Sequence, residues 1–207
     1  MLRGTGKVAA HVQRQSGHAG CWLACVHRDV SEDRWASTPG RGPIAALLTA
    51  DHERLDVLFR RAFARPGAID HDAYVVFRKG LLRHIGMEEK ILLPAARRAR
   101  GGEPLPSAAR LRLDHGALAA LLVPSPTAAI ASAIRTILER HNALEEGPGG
   151  VYETCERLAG PEVQELFAAL IAAPEVSVNR HVDSPVVLEA TRRAVLRAGY
   201  DPAPLGL

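Results

Sequence analysis

Apolar residues recur at every third or fourth position along most of the chain after residue 42, interrupted by turns rich in glycine and proline. Residues at this spacing lie on one face of an α-helix, so the pattern predicts helices that bury one side. Four long segments are predicted to be helices: Pro43 to about Arg65, Asp70 to about Gly101, Ser107 to Val123, and Thr127 to Glu146. Pro94 is expected to kink or shorten the second of them.

Three shorter segments follow and are also predicted to be helical: Val151 to Leu158, Pro161 to about Ala173, and Pro185 to about Ala198. Because short connections join the four long helices, neighbouring helices are expected to run in opposite directions. The predicted fold is all-α, an antiparallel up-down four-helix bundle over residues 43–158. The C-terminal helices of residues 159–207 are expected to pack on this bundle.

Residues 1–42 differ from the rest because they are rich in glycine, serine, histidine and arginine and show no helical period. This composition predicts a disordered N-terminal segment. An alternative is a non-native extension, because the sequence from Val30 resembles the start of a protein. Both interpretations leave the predicted bundle unchanged.

Composition excludes several classes of function. The 207 residues carry a net charge of +3, and basic residues alternate with acidic ones along the predicted helices. That is typical of a solvated surface, so no nucleic-acid partner is expected. Three irregularly spaced cysteines favour a reducing compartment, and we expect a cytoplasmic protein. No apolar run approaches the ~20 residues of a membrane span, so no membrane association is predicted.

The pattern H-x-x-x-E occurs twice in the predicted helices, at His84 to Glu88 and at His141 to Glu145. Residues four apart lie one above the other on the same helix face. Each pair therefore directs an imidazole and a carboxylate to the same side. If the two helices face each other, the two pairs are candidate metal ligands.

The other two bundle helices each contribute one histidine, His52 and His115. Successive histidines among the four are separated by 32, 31 and 26 residues, about the period of a helix and its turn. One histidine from each helix is therefore expected to lie in the same layer. For His115 and His141 the helix ends predict a mismatch of roughly 9 Å at ~1.5 Å per residue. A stagger of the last helix is required to bring them together.

Imidazole together with carboxylate favours iron, manganese or zinc over magnesium or calcium. Glu88 and Glu145 can each bridge two metal ions that are roughly 3.5–4 Å apart. Without a metal, two carboxylates would be buried unpaired, which is costly. The predicted surroundings are apolar and comprise Leu55, Leu81, Ile85, Leu118 and Leu144.

Four other residues near these motifs receive simpler interpretations. Glu89 and Glu146 are expected to lie on the surface or to support the ligands rather than to bind metal. Asp56, four residues after His52, is a possible carboxylate ligand, but a surface role is favoured. Cys155 has no partner at metal-ligand spacing, and core packing is expected for it.

Four short segments of the sequence together resemble motifs of the hemerythrin-like, or HHE cation-binding, family. They are Asp51-His52-Glu53-Arg54-Leu55, His84-Ile85-Gly86-Met87-Glu88-Glu89 up to Pro94, Asp114-His115-Gly116-Ala117-Leu118, and His141-Asn142-Ala143-Leu144-Glu145-Glu146. The resemblance covers about residues 43–158 and implies a four-helix bundle with a non-haem di-iron centre. It implies two bridging ligands, Glu88 and Glu145, and four terminal ligands, His52, His84, His115 and His141.

The chain departs from the oxygen-carrying members of that family at two places. They have a further histidine four residues after the third-helix histidine, where this chain has Ala119. Fewer ligands leave more open metal positions, which favours sensing, scavenging or reaction over simple transport. The second departure is the break at Gly147-Pro148-Gly149-Gly150, which is expected to shape access to the metals and to bring Tyr152 near them.

The first functional hypothesis is a di-iron protein, with manganese or zinc as alternative metals, that binds or senses O₂, NO or peroxide. The second is an oxidative enzyme that uses the same centre on an organic substrate, with a pocket beyond the metals. The third is a helical module without metal. The expected partner is a small diatomic or peroxide ligand, and the sequence does not determine the oligomeric state.

Overall fold

The computed structural model of the chain describes residues 41–205, which form helices joined by turns and short extended segments. The α-helices are α1 (Pro43–Ala62), α2 (His71–Met87), α3 (Leu93–Ala99), α4 (Ala108–Leu121), α5 (Ala128–Glu146), α6 (Val151–Ala159), α7 (Val163–Ile171) and α8 (Pro185–Arg197). A π-helical segment, Glu88–Leu92, joins α2 to α3. Two 3₁₀ turns occupy Gly160–Glu162 and Ala203–Leu205. Between residues 41 and 205 no strand is present, so the all-α prediction is confirmed for this range.

The interpretation of residues 1–42 as disordered or non-native concerns, except for Arg41 and Gly42, a part of the chain outside the described residues. From Pro43 onwards the helix starts follow local sequence signals. Pro43 occupies the first turn of α1, where a missing N–H costs nothing. The side chain of Asp70 accepts a hydrogen bond from Ala73 N and thereby caps α2.

The second predicted helix is neither ended nor shortened at Pro94, because helical backbone continues through this residue to Ala99. The departure from α-helix lies just before the proline, in the π-helical segment Glu88–Leu92. There the N–H of Leu93 bonds to the carbonyl of Glu88, five residues earlier. A widened turn of this kind changes the face that the following residues present.

Two apolar clusters form the core. The first comprises residues such as Leu55, Phe59, Phe77, Leu81, Leu118, Ile134, Ile137 and Val195. The second comprises residues such as Ile44, Leu48, Met87, Leu92, Leu111, Val151, Cys155 and Leu170. Along the chain, α1 and α4 run from the second cluster to the first, and α2 runs from the first to the second. The apolar residues of α5 belong to the first cluster, and those of α6, which follows it, belong to the second.

The C-terminal helices pack on both clusters. Leu170 of α7 is fully buried in the second cluster, whereas Val195 of α8 is fully buried in the first. Hydrogen bonds fix α8 against α4, because Thr191 Oγ1 donates to the carbonyl of Ala120 at 3.2 Å. No helix between residues 41 and 205 combines the length and apolar character needed to cross a bilayer.

One predicted core position is wrong. Leu144 is 37% exposed, so it does not contribute to the apolar surroundings of the predicted ligands. It lies on α5 one residue before the fully buried Glu145, and the helical turn of ~100° per residue carries its side chain away from the core. Leu55, Leu81 and Leu118 are buried as predicted, and Ile85 is partly buried against the first cluster.

Candidate metal centre

The six predicted ligands are buried between the two apolar clusters, and none is more than 6% exposed. They come from α1, α2, the first residue of the π-helical segment, α4 and α5: His52, His84, Glu88, His115, His141 and Glu145. The structure therefore brings all six together in one layer.

The side-chain atoms of these residues form two groups, and in each group all ligand atoms lie within 4.8 Å of one another. The first group is His52, His84, Glu88 and Glu145, and the second is Glu88, His115, His141 and Glu145. The two carboxylates belong to both groups and divide their oxygens between them. Glu88 Oε1 lies 3.3 Å from His84 Nε2, and Glu88 Oε2 lies 3.0 Å from His115 Nε2.

The two carboxylate oxygens of Glu145 are also divided between the two groups of ligands. Its Oε2 atom lies 3.5 Å from His52 Nε2, and its Oε1 atom lies 3.1 Å from His141 Nε2. Each carboxylate thus offers one oxygen to each pair of histidines. Such an arrangement can bridge two cations, and either group alone can hold one.

The mismatch expected between His115 and His141 does not separate them, because their Nε2 atoms are 3.1 Å apart. Because α4 ends six residues after His115 whereas α5 begins thirteen residues before His141, α5 extends further from the site than α4 does. Its residues Ala128 and Ala131 line a cavity together with Phe63 and Ile69 of the α1–α2 connection. This overhang supplies the stagger that the spacing required.

Each of the four histidines faces a carboxylate at Nδ1, which leaves Nε2 directed at the centre. The pairs are Glu146 with His52 at 2.6 Å, Asp51 with His84 at 2.9 Å, Glu89 with His115 at 2.8 Å, and Asp114 with His141 at 3.7 Å. The first three distances are hydrogen bonds, and the last is an ion-pair contact beyond hydrogen-bond range. Carboxylates at this position fix the orientation of metal-binding histidines and raise their basicity.

Asp114 is itself held in place by its neighbour one turn earlier. Arg110 Nε donates to Asp114 Oδ2 at 3.1 Å, and Arg110 Nη1 donates to the carbonyl of Ala198 at 2.7 Å. The carboxylate that faces His141 is thus connected to the end of α8. In this way the C-terminal segment contributes to the surroundings of the centre.

Tyr152, the second residue of α6, contacts the first group directly. Its hydroxyl donates to Glu88 Oε1 at 2.6 Å and lies 3.0 Å from Glu145 Oε2. The same oxygen is 3.2 Å from His52 Nε2 and 3.3 Å from His84 Nε2. The prediction that the helix break brings Tyr152 near the site is confirmed.

The break itself is a tight turn. Gly149 has φ of +67°, a conformation that glycine adopts without strain. A Cβ on Gly150 would lie 2.5 Å from the carbonyl oxygen of Glu145. A cavity of about 520 Å³ lies between this turn and the start of α1, and its lining includes Glu145, Tyr152 and Thr49.

The charges of the metal-free site are strongly coupled. Burial disfavours protonation of His84, but the charges of Glu88 and Asp51 outweigh it and raise the pKa of His84 to about 10. The pKa of His141 is also about 10, because Asp114 and Glu145 outweigh its burial. Burial and the nearby charge of Glu88 raise the pKa of Glu145 above its usual value. In the metal-free protein, protons bound to these groups therefore offset the negative charge of the buried carboxylates.

Several buried polar atoms of the site are better suited to binding a cation than to hydrogen bonding with one another. Glu88 Oε2 and Glu145 Oε1 have no hydrogen-bond partner among the described residues. The hydroxyl of Tyr152 can donate only one hydrogen, yet two carboxylate oxygens and two imidazole nitrogens converge on it. An unpaired buried polar atom costs ~1–3 kcal/mol, and a cation between these lone pairs would remove that cost. The donor set therefore fits metal ions.

Two supporting residues, Asp51 and Asp114, were given no role from the sequence. The available signal is the repeated Asp-His pair, which occurs in α1 and again in α4. Glu89 and Glu146 occupy the supporting role that was one of the two expected for them. Asp56 lies on the surface as favoured, 61% exposed and paired with Arg60.

Comparison of the chain with profiles of known protein families gives no match. Comparison with curated proteins gives none either. No solved structure matches. Functional inference therefore depends on the geometry of the site.

Proposed function

We propose that the chain is a hemerythrin-like non-haem di-iron protein that binds or senses O₂, NO or peroxide. The observation that carries this proposal is the pair of ligand groups that share Glu88 and Glu145. A site for one ion would not need two carboxylates that each offer one oxygen to either side. Two histidines on each side complete the set, and the resemblance of their flanking sequences to that family points the same way.

The course of the chain supports an antiparallel up-down bundle. α1 and α4 pass the site from the second apolar cluster towards the first, while α2 passes in the opposite direction. α5 approaches the site from the first cluster, and the chain continues into the second through α6. This alternation is the order expected of an up-down bundle whose ligands lie at mid-height.

The mixture of donors is compatible with iron. Four imidazoles and two carboxylates suit iron, manganese and zinc, whereas an all-oxygen set would suit magnesium or calcium. A pair of ferrous ions would supply electrons and open coordination positions for a small ligand. With Ala119 in place of a further histidine, fewer positions are filled by protein, which favours sensing or scavenging over transport.

Residues around the proposed centre orient its ligands and limit the access of water. The carboxylates at Nδ1 hold the imidazoles of His52, His84 and His115 with Nε2 facing inward. The apolar clusters on both sides limit access of bulk water, which strengthens electrostatic interactions in the centre. The turn at residues 147–150 and Tyr152 form the wall of the cavity that reaches Glu145.

Metal analysis of the purified protein after loading with ferrous iron tests the proposal, and two irons per chain are expected. Glu88→Ala is expected to lose at least one iron, because it removes one oxygen from each group. Glu139→Ala, an exposed substitution on α5, is the control and is expected to keep both. Full iron occupancy in Glu88→Ala, or no metal in the wild-type protein, would refute the assignment.

The cavity of about 520 Å³ favours a second candidate function, a di-iron oxidative enzyme acting on an organic substrate. This cavity adjoins Glu145 and Tyr152 and has room for more than a diatomic molecule. Its walls are α1, the end of α5, the 147–150 turn and α6. An enzyme should consume O₂ faster when given its substrate, whereas a sensor should form a stable or slowly decaying adduct.

A further inference from the structure

We infer that Tyr152 is a fifth protein ligand of the metal position held by His52 and His84, and that it makes the two metal positions chemically unequal. This inference rests on the di-iron centre proposed above. It adds a residue from α6, a helix that contributes none of the six other ligands.

The position of the phenol oxygen carries the inference. Ligand atoms at neighbouring vertices around a metal with bonds of ~2.0–2.2 Å lie about 3 Å apart. Tyr152 Oη is 2.6–3.3 Å from each of the four atoms of the first group, which are His52 Nε2, His84 Nε2, Glu88 Oε1 and Glu145 Oε2. These distances are those expected if Oη and the four atoms were ligands of the same metal ion.

The local fold leaves the hydroxyl of Tyr152 no other role. The side chain is 1% exposed, and every hydrogen-bond contact of its oxygen is to a member of the first group. The tight turn ends at Gly150, two residues before Tyr152, and fixes the start of α6. The oxygen therefore reaches the centre from a constrained backbone rather than from a mobile loop.

No tyrosine of the described chain plays this part for the second group. The ring of Tyr74 packs against Phe63 and Phe77, and the ring of Tyr200 lies beneath the guanidinium groups of Arg110 and Arg140. Neither hydroxyl has a hydrogen-bond partner among the described residues. The position held by His115 and His141 therefore keeps one more place open. A small exogenous ligand is expected to bind at that position.

Coordination involves a proton but no electron transfer. The phenolic O–H bond breaks, an oxygen–metal bond forms, and the proton leaves for water, as is usual when metals bind protein ligands.

The test is to load the full chain with ferrous iron, oxidise it in air and record its visible absorption. A phenolate bound to ferric iron gives a charge-transfer band in the visible. We expect this band in the wild-type protein, its loss in Tyr152→Phe, and its retention in the matched control Tyr74→Phe. Iron content is measured on the same samples, and the Tyr152→Phe protein is expected to keep two irons.

Resonance Raman spectra of the wild-type protein, excited in that band, give a readout that needs no variant. Vibrations of a tyrosinate ring are expected. If two irons bind but the wild-type protein shows no such vibrations, or Tyr152→Phe keeps the band, the tyrosine ligand is refuted and the di-iron proposal stands. If the wild-type protein takes up no iron, both proposals fail.

Discussion

The acidic residues that face the four histidine Nδ1 atoms each adjoin another predicted ligand in the sequence. Asp51 precedes His52 but contacts His84 on the next helix, and Glu89 follows Glu88 but contacts His115. Neighbouring helix residues point ~100° apart, so one side chain enters the centre while the other reaches the adjacent helix. Each pair of residues therefore supplies a ligand and orients one from another helix.

Removing one of these supporting carboxylates should weaken metal binding without removing a ligand. Asp51→Ala is expected to lower metal affinity ~10–100-fold, because His84 loses the acceptor that fixes its Nδ1 hydrogen. Titration of the metal-free protein with ferrous iron measures the effect. Asp56→Ala, on the same helix but exposed and paired only with Arg60, is the control and should bind as the wild-type protein does. Equal affinities for the two variants would contradict the orienting role.

At the scale of the secondary-structure elements, a tight turn determines where α6 begins and thus where Tyr152 lies. Gly150→Ala is expected to destabilise the protein by ~1–3 kcal/mol, because its Cβ would press on the carbonyl oxygens of Glu145 and Gly147. Gly86→Ala, in α2 with open space around the new atom, is the opposite case and should stabilise by ~0.5–1 kcal/mol. Denaturant unfolding of both variants gives the comparison. An unchanged stability of Gly150→Ala would show that the turn adapts freely.

Contacts between site residues on the same helix can be predicted from the sequence, whereas contacts between residues on different helices depend on how the helices pack. His84 and Glu88 are four residues apart on one helix, so their common direction follows from helical geometry alone. Asp51 reaches His84 across 33 residues, and that contact depends on how α1 and α2 pack. The sequence does not predict the π-helical turn before Pro94, because a proline indicates a disturbed helix but not which hydrogen-bond pattern replaces the α-helical one.

At the scale of the whole molecule, the site repeats one pattern twice. Asp-His on one helix followed by H-x-x-x-E-E on the next occurs from Asp51 to Glu89 and again from Asp114 to Glu146. Each repeat supplies the two histidines of one ligand group and one shared carboxylate. The C-terminal helices and Tyr152 have no counterpart in this repeat, so they are the parts that make the two halves different.

This buried arrangement predicts opposite pH dependences for the metal-free and metal-loaded proteins. His84 and His141 have folded-state pKa values of about 10, above the ~6.5 of an unfolded chain. The folded protein therefore binds more protons between these values, and its stability falls as pH rises from ~6.5 to about 10. Iron competes with those protons, so iron affinity should rise over the same range.

Thermal unfolding at several pH values, with and without iron, measures both trends. The midpoint of the metal-free protein should fall with rising pH, while the increase produced by iron should grow. If the metal-free protein is equally stable across this range, the buried imidazoles are not protonated as described.

The most direct measurement is the anomalous scattering of iron in crystals of the iron-loaded protein. Two anomalous peaks are expected between the apolar clusters, one beside His52 and His84 and one beside His115 and His141. Density for Glu88 and Glu145 should connect the two peaks. A single peak, or iron bound only at the protein surface, would contradict the di-iron centre.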